Sequence, residues 1–420
     1  MQLARRTRRV ALWAALSSIV SVFLSLPKMA DADEEPSPVD APAATPKTSP
    51  KKPEDTSTKR ASMEIAAYSD SDHVAVFTPS ISASIENVTQ GASLHASYLV
   101  DVVSAASVDI VSTASRRWRE IRQAGSLEAE YKPHDFGVSV AGSVSSEPDY
   151  LAYGFGAQLV HDFFEKNLTL TGGFGYGHDT AGRGGTPFSV FSHIITRGSF
   201  NGGLVAVINR ATVGGLTMDI VSESGDQSKP YRYIPMFDAA TAAQVPKGAS
   251  IDYVTSHRLF ERPLEQLPLA RNRFALTARI AHRLDASTLR AEERVYDDNW
   301  GLTASTTDAR WVFDLGRRVS FWPHGRAHIQ SAASFWQRAY TSGPAPGWDL
   351  PEFRTGDREL GPLWTVTGGG GVQLYLGSKA EPRKWAVSLT TDVMYTSFLD
   401  DLYLTSRTGW LGAITLEGEL

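Results

Sequence analysis

The 420-residue sequence contains no cysteine. That excludes a disulfide framework, a thiolate metal centre, a cysteine nucleophile and an N-terminal lipid anchor carried on cysteine. Past the N-terminal region it also lacks any run of 18 uninterrupted apolar residues and any sustained helical stripe, so the rest of the chain reads as strands, turns and loops. Strong charge is missing too: the formal net charge is -5 and mean hydropathy is only slightly negative, which gives no reason to expect nucleic acid as a partner. What is present is 35 glycines, 21% charged residues and 10% aromatics. This mixture suits a membrane barrel, whose lipid-facing apolar and lumen-facing polar residues average out along each strand.

The N-terminus reads as an export signal. Arg5, Arg6, Arg8 and Arg9 form a basic start, residues 10–26 are largely apolar, and Ala30-Asp31-Ala32 offers small residues for cleavage after Ala32. Residues 33–60 hold Pro36, Pro38, Pro42, Pro46, Pro50 and Pro53 among small and charged residues, a composition that cannot bury a core. They are expected to form a disordered periplasmic tether. The domain plan is therefore signal peptide 1–32, linker 33–60 and barrel 61–420.

From Ala61 onward the apolar period is two. In 271–284, Phe274, Leu276, Ala278 and Ile280 alternate with Arg273, Thr277, Arg279 and Ala281; in 319–336, Val319, Phe321, Ala327, Ile329 and Phe335 alternate with Ser320, His324, Arg326, His328 and Gln330. Similar runs occupy 92–103, 136–144, 153–163, 168–176, 200–208, 213–221, 364–376, 385–395 and 409–420. Short polar turns (89–91, 132–135, 165–167, 209–212, 283–286, 315–318, 377–384) alternate with long segments (105–122, 178–196, 224–270, 338–363, 397–408), as periplasmic turns and outer loops do in a barrel. Counting from His73 gives fifteen strands. A short first strand at 61–68, turned by 69–72, makes an even sixteen. The expected fold is all-β: a transmembrane antiparallel β-barrel of about 16 strands, with 14–16 acceptable.

Aromatics fall near strand ends, where an interfacial girdle belongs: Tyr131, Phe136, Phe163, Phe164, Tyr296, Trp300, Trp311, Phe313, Trp364, Trp385, Tyr395 and Trp410. Ile414, Leu416 and Leu420 share a face in a last strand of the kind that barrel-assembly machinery recognises, although Leu420 is not aromatic. The words YSDSDHV (68–74), DVVSAASVD (101–109), VYDDNWG (295–301) and QSAASF (330–335) make the chain resemble a bacterial domain-of-unknown-function family of outer-membrane barrels, over roughly Glu64 to Leu420. The resemblance implies the barrel, an outer-membrane location in contact with lipid, and no known activity. It also implies a redox setting, since family members are often encoded beside flavin-transfer and thioredoxin-like proteins.

Candidate chemistry is sparse. His324 and His328 share a strand face but stand roughly 13 Å apart, too far for one ion. Asp70, Asp72, Asp297 and Asp298 are calcium candidates at the outer rim, though acidic turns are ordinary loop chemistry. No Gly-x-Ser-x-Gly surrounds any serine, so no enzyme is expected, and Gly368 to Gly371 lies in a strand, where close packing or lumen room explains it. The lumen face is more informative. Arg271, Arg273, Arg279, Arg283, Arg290, Arg294, Arg310 and Arg326 are expected to point inward against only Glu292, Asp308 and Asp314, forming a basic arc. Glu86, Asp101, Glu128, Glu130, Asp162, Asp219, Asp392 and Glu417 form an acidic one. The expected function is a pore for small polar solutes, with residues 224–270 folded over or into its mouth; the alternative is a non-transporting scaffold in an extracytoplasmic redox system. Finally, Asp-x-x-Ser-small-Ala-Ser occurs twice, at 101–107 and 109–115. It resembles the acceptor word of flavin transferases, which would place a covalent flavin mononucleotide on Ser107 or Ser115.

Overall fold

The computed structural model describes residues 57–105, 118–343, 349–378 and 383–420. The expected signal peptide, Ser107 and Ser115 lie outside those residues. Eighteen strands follow one another: β1 (Ser57–Asp70), β2 (Ala75–Asn87), β3 (Ala92–Ala105), β4 (Trp118–Tyr131), β5 (Phe136–Glu147), β6 (Tyr150–Phe163), β7 (Leu168–Gly182), β8 (Ser192–Asn209), β9 (Thr212–Gly225), β10 (Met236–Phe237), β11 (Ala270–Arg283), β12 (Ser287–Asp298), β13 (Thr303–Leu315), β14 (Val319–Gln330), β15 (Tyr340–Thr341), β16 (Leu363–Tyr375), β17 (Trp385–Phe398) and β18 (Ser406–Glu419). All but the two-residue pair β10 and β15 join, neighbour to neighbour and antiparallel, into one closed barrel of sixteen strands sealed by β1 against β18.

Alternation explains both faces. On β11, Phe274 and Ile280 project outward and stay exposed, while Ala275 and Thr277 are buried on the other face beneath the arginine side chains. The same outward exposure recurs around the ring, at Met63, Ile81, Leu127, Phe155, Phe174 and Leu389 among others. An apolar belt of that extent far exceeds the patches soluble proteins carry. Closure leaves no strand edge with unpaired backbone groups, which is the condition for crossing lipid with strands. The protein is a transmembrane barrel.

One end of the barrel carries short turns and the start of β1 and end of β18; the other carries the long insertions. At the turn end, Gly91 sits at φ +67° with its α-carbon against the neighbouring turn, where a β-carbon would stand 2.1 Å from the Lys132 carbonyl oxygen. At the loop end a shared device closes hairpins. Asp70 Oδ1 accepts the amides of Asp72 and Val74 (2.9 Å each), and the Tyr68 hydroxyl donates to Asp70 Oδ2 (2.9 Å). Asp298 Oδ1 likewise accepts the amides of Trp300 and Leu302 (3.0 Å each), with the Tyr296 hydroxyl donating to its Oδ2 (2.8 Å). The words at 68–74 and 295–301 are thus two copies of one Tyr-x-Asp turn.

Several boundaries differ from expectation. The first strand is not short: β1 runs 14 residues and includes 57–60, which the tether was expected to hold, because Lys59 and Arg60 pair with β2 and Arg60 also with β18. The strand expected over 319–336 stops at Gln330, and Phe335 packs on Trp300 above the barrel. Strands β7 and β8 extend into the expected loop 178–196, since their ends carry polar residues on both faces and show no alternation. Trp300 and Tyr296 leave the girdle: Trp300 is buried under the loops and Tyr296 turns its hydroxyl onto Asp298.

Candidate functional site: the lumen and its covered mouth

Strand register decides which charges face the lumen. Arg279 stands opposite Glu292, Glu292 opposite Asp308, and Asp308 opposite Arg326; one pair along, Arg290 stands opposite Arg310 and Arg310 opposite His324. All eight arginines expected on the basic arc fall on this face. Glu86, Asp101, Glu128, Glu130, Asp162, Asp219, Asp392 and Glu417 do the same on their own strands.

The basic arc is less bare than the sequence suggests. Arg271 bonds Asp298 (2.6 Å), Arg273 pairs with Glu223, Arg279 with Glu292 (3.8 Å), Arg283 with Asp314 (2.7 Å) and Arg294 with Asp219 (3.0 Å). Asp298, Glu223 and Asp219 were not counted as its counter-charges, because their strand-end or neighbouring-strand positions become adjacent only in the folded register. Arg290, Arg310 and Arg326 have no ion-pair partner among the described residues, and Arg310 lies over the Trp322 ring at 6.0 Å. Opposite charges on the other arc are also partly met: Glu86 by Arg60 (3.8 Å), Asp101 by Arg122 (3.7 Å), Asp162 by Lys132 (2.7 Å), and Asp392 by His324 (2.8 Å), whose second nitrogen meets Asp308 (3.0 Å). His328 bonds Thr306 and Gln330 instead of joining His324.

Over the loop end lies a built cover. The connection between β9 and β11 carries β10 and two short helices, α1 (Ala239–Ala242) and α2 (Ile251–His257), capped by Asp238 and Ser250. Phe237, Val245, Ala249 and Val254 pack on Leu402 of the β17–β18 turn. Leu267 packs on Trp300 and Leu302 of the β12–β13 turn together with Ala333 and Leu360 from the β14–β16 connection. Arg183 of the β7–β8 turn covers the Tyr231 ring at 5.5 Å, and Arg358 reaches Asp72 of the β1–β2 turn. The two connections therefore touch turns on distant arcs of the ring and bridge the mouth, as expected for 224–270 from its length and its aromatics.

Beneath the apolar contacts the cover holds an ionic knot. Arg232 bonds Glu265 (2.9 Å) and Asp357 (3.0 Å), the Thr355 hydroxyl donates to Glu265 (2.6 Å), and the Lys229 amide donates to Glu265 Oε2 (2.9 Å). Burial would push the Asp357 carboxyl up, but the Arg232 guanidinium outweighs it and holds it below the ordinary range. Burial, and then the same guanidinium, pull the Lys229 ammonium down to about 7. None of these residues has a sequence signature beyond its place in a long connection.

The expected calcium candidates do not converge. Asp70 and Asp298 are spent on their own turns, Asp72 meets Arg358, and Asp297 is exposed on the opposite strand face from Asp298. A different group does: Glu120, Glu147 and Asp149 bring carboxylate oxygens within 4.8 Å of one another.

A family model described as "Protein of unknown function (DUF3570)" matches residues 113–398. No curated protein matches. Among solved structures, the chain is similar to the siderophore receptor PirA from Acinetobacter baumannii, with 11% identity, a TM-score of 0.41, and coverage of 83% of this chain and 54% of that one. It is similar to CdiB from the same organism (8%, 0.46, 86% and 60%) and to the outer membrane protein OprD from Pseudomonas aeruginosa (6%, 0.40, 87% and 94%). The chain spans between about half and three-fifths of the length of the first two.

Proposed function

The chain belongs to the DUF3570 family, and from its lumen and covered mouth we propose that it is an outer-membrane pore for small polar solutes, gated at its loop end and selective for anions. The observation that carries this reading is the exposed set Arg290, Arg310 and Arg326, three lumen guanidiniums without carboxylate partners among the described residues. Two of them stand directly opposite each other across β12 and β13. Like charges held side by side on a wall repel unless an anion or water separates them, so the strip favours passing anions over cations. The cover gives such a pore a closed resting state, and the turn end lies toward the periplasm, where β1 would continue from its tether.

A second reading, a non-transporting barrel that presents its cover to a partner, draws on the apolar packing that bridges the mouth. Planar-bilayer conductance separates the two. The pore reading expects small, intermittent conductance and a reversal potential in a salt gradient that reports anion preference. Absence of any conductance, both in the intact barrel and after removal of the cover, overturns it.

A further inference from the structure

His324 reaches sideways along the lumen wall. Its Nδ1 stands 2.8 Å from Asp392 Oδ1 on β17 and its Nε2 3.0 Å from Asp308 Oδ2 on β13, so one ring on β14 joins the two carboxylates. The His324 side chain is only 11% exposed, which shelters both contacts from competing water. Between His324 and Asp392 lies β16, where Gly369 stands opposite each of them. A β-carbon on Gly369 would meet Asp392 Oδ1 at 2.2 Å, so the glycine opens the path by which the carboxylate crosses that strand.

The proton count of the ring follows from its partners. An ionised carboxylate accepts hydrogen bonds and donates none, and neutral imidazole has a single N–H. Two such contacts at hydrogen-bond distance need a proton on each nitrogen, so the bridge is built for imidazolium. When one proton leaves, a bare nitrogen faces a carboxylate oxygen and one arm opens. Imidazole is the side chain whose ordinary pKa of about 6.5 puts this change close to neutral pH.

The surroundings decide which arm. Asp392 is flanked on the lumen face by Thr390 and Met394 and stands opposite Gly369 and Leu411, none of them charged. Asp308 stands opposite Glu292 and Arg326, and Glu292 meets Arg279 while Arg326 has no ion-pair partner among the described residues. Arg310, directly opposite His324, lies over the Trp322 ring, with Arg290 beyond it on β12. The β16 positions facing this stretch, Thr367, Gly369 and Gly371, bring no charge, and His328 is held by Thr306 and Gln330. Asp308, unlike Asp392, has a guanidinium directly across from it.

We propose that Asp308, His324 and Asp392 form a proton-operated switch on the lumen wall. With imidazolium in place, Asp308 is held away from Arg326 and that guanidinium is open to passing anions. When His324 releases the Nε2 proton to lumen water, its Nδ1–H stays on Asp392 and Asp308 turns to Arg326. The wall then loses one positive charge and masks a second. Anion preference is therefore highest at acid pH and falls as pH rises. That consequence rests on the pore reading above; the exchange of partners does not.

The test is nuclear magnetic resonance of the full chain, refolded in detergent with isotopically labelled histidine and arginine nitrogens, from about pH 6 to about pH 9. Heat-modifiable gel mobility establishes that each variant is folded, and His324→Gln and Arg326→Gln assign the two residues. Both His324 nitrogens are expected to be protonated at the acid end, with the Nε2 proton lost in one step and the Arg326 Nε signal shifting in that same step. In Asp308→Asn, and equally in His324→Gln, the Arg326 signal should stay still. A His324 ring carrying one proton throughout, or both throughout, overturns the proposal, and so does an Arg326 signal that ignores the step. Reversal potentials of the open pore give a second reading: the ratio of anion to cation permeability should fall at least about threefold from about pH 6 to about pH 9. His328→Gln should keep that fall and His324→Gln should lose it. The same pH dependence in His324→Gln overturns the switch as well. A barrel that never conducts removes the pore and leaves the nitrogen signals to decide the switch.

Discussion

Arg358 and Asp72 stand 286 positions apart in the chain and meet at 3.3 Å, both nearly fully buried, where the β14–β16 connection crosses to the first hairpin turn. Removing one member of a buried pair strands the other charge, at a cost of about 3–5 kcal/mol. Arg358→Met should therefore loosen the cover without unfolding the barrel. The expected result is faster proteolysis within 226–269 while heat-modifiable mobility is retained. Unchanged proteolysis would show that the apolar clusters hold the cover without this pair.

Acid should loosen the same region from another point. The Asp357 carboxyl is held below its ordinary value near 3.8 by Arg232, so its contribution to stability is complete above that value and is lost as pH falls through the lower, folded one. Pepsin cleavage of the cover is expected to rise as pH drops below about 3.8. Asp357→Asn should be looser at neutral pH and show a smaller acid step.

Charge in the lumen is tested at Arg290 and Arg310. Replacing both with glutamate turns the like-charged pair from basic to acidic without touching the five paired arginines. The reversal potential of the open pore in a salt gradient should change sign. A value unaltered by the double substitution would place the selectivity elsewhere.

Gly371 faces Trp322 across β14 and β16, and a β-carbon there would stand 2.3 Å from Trp322 Cζ2. Gly371→Ala must move the indole by roughly an ångström, away from its seat beneath Arg310 and into the lumen. Single-channel conductance should fall. Gly368→Ala, whose added methyl group meets nothing within 4 Å, should leave it unchanged.

The barrel was legible in the sequence because a two-residue period records which side of each strand meets lipid, and the chain spells it out at residues such as Phe274 and Ile280. Inward placement of Arg271 to Arg326 follows from the same period. Partners of those arginines were not legible: Glu223 meets Arg273 only once β9 and β11 close across a connection of more than forty residues. Nor was the cover. Its interior mixes Phe237, Val254 and Leu402 from three separate segments, none of them periodic. Strand ends failed for a local reason, since β7 and β8 continue past the lipid and lose their apolar face there. The Tyr-x-Asp turns stood out as words before their hydrogen bonds gave them a physical cause.

The joint between β1 and β18 sets the order in which this molecule can be made. Every other pair in the ring joins strands that follow each other around the barrel, the longest connection between them being 226–269, but Glu64 and Thr415 bond across 351 positions. Nearly all of the long-range entropy of closure is thereby concentrated in one seam, which must form last and all at once. Until it does, the growing sheet has two naked edges in contact with whatever escorts it. Weakening that seam, for instance at Arg60, which meets Glu86 and Glu419 on either side of β1, would slow insertion far more than it would soften the finished wall.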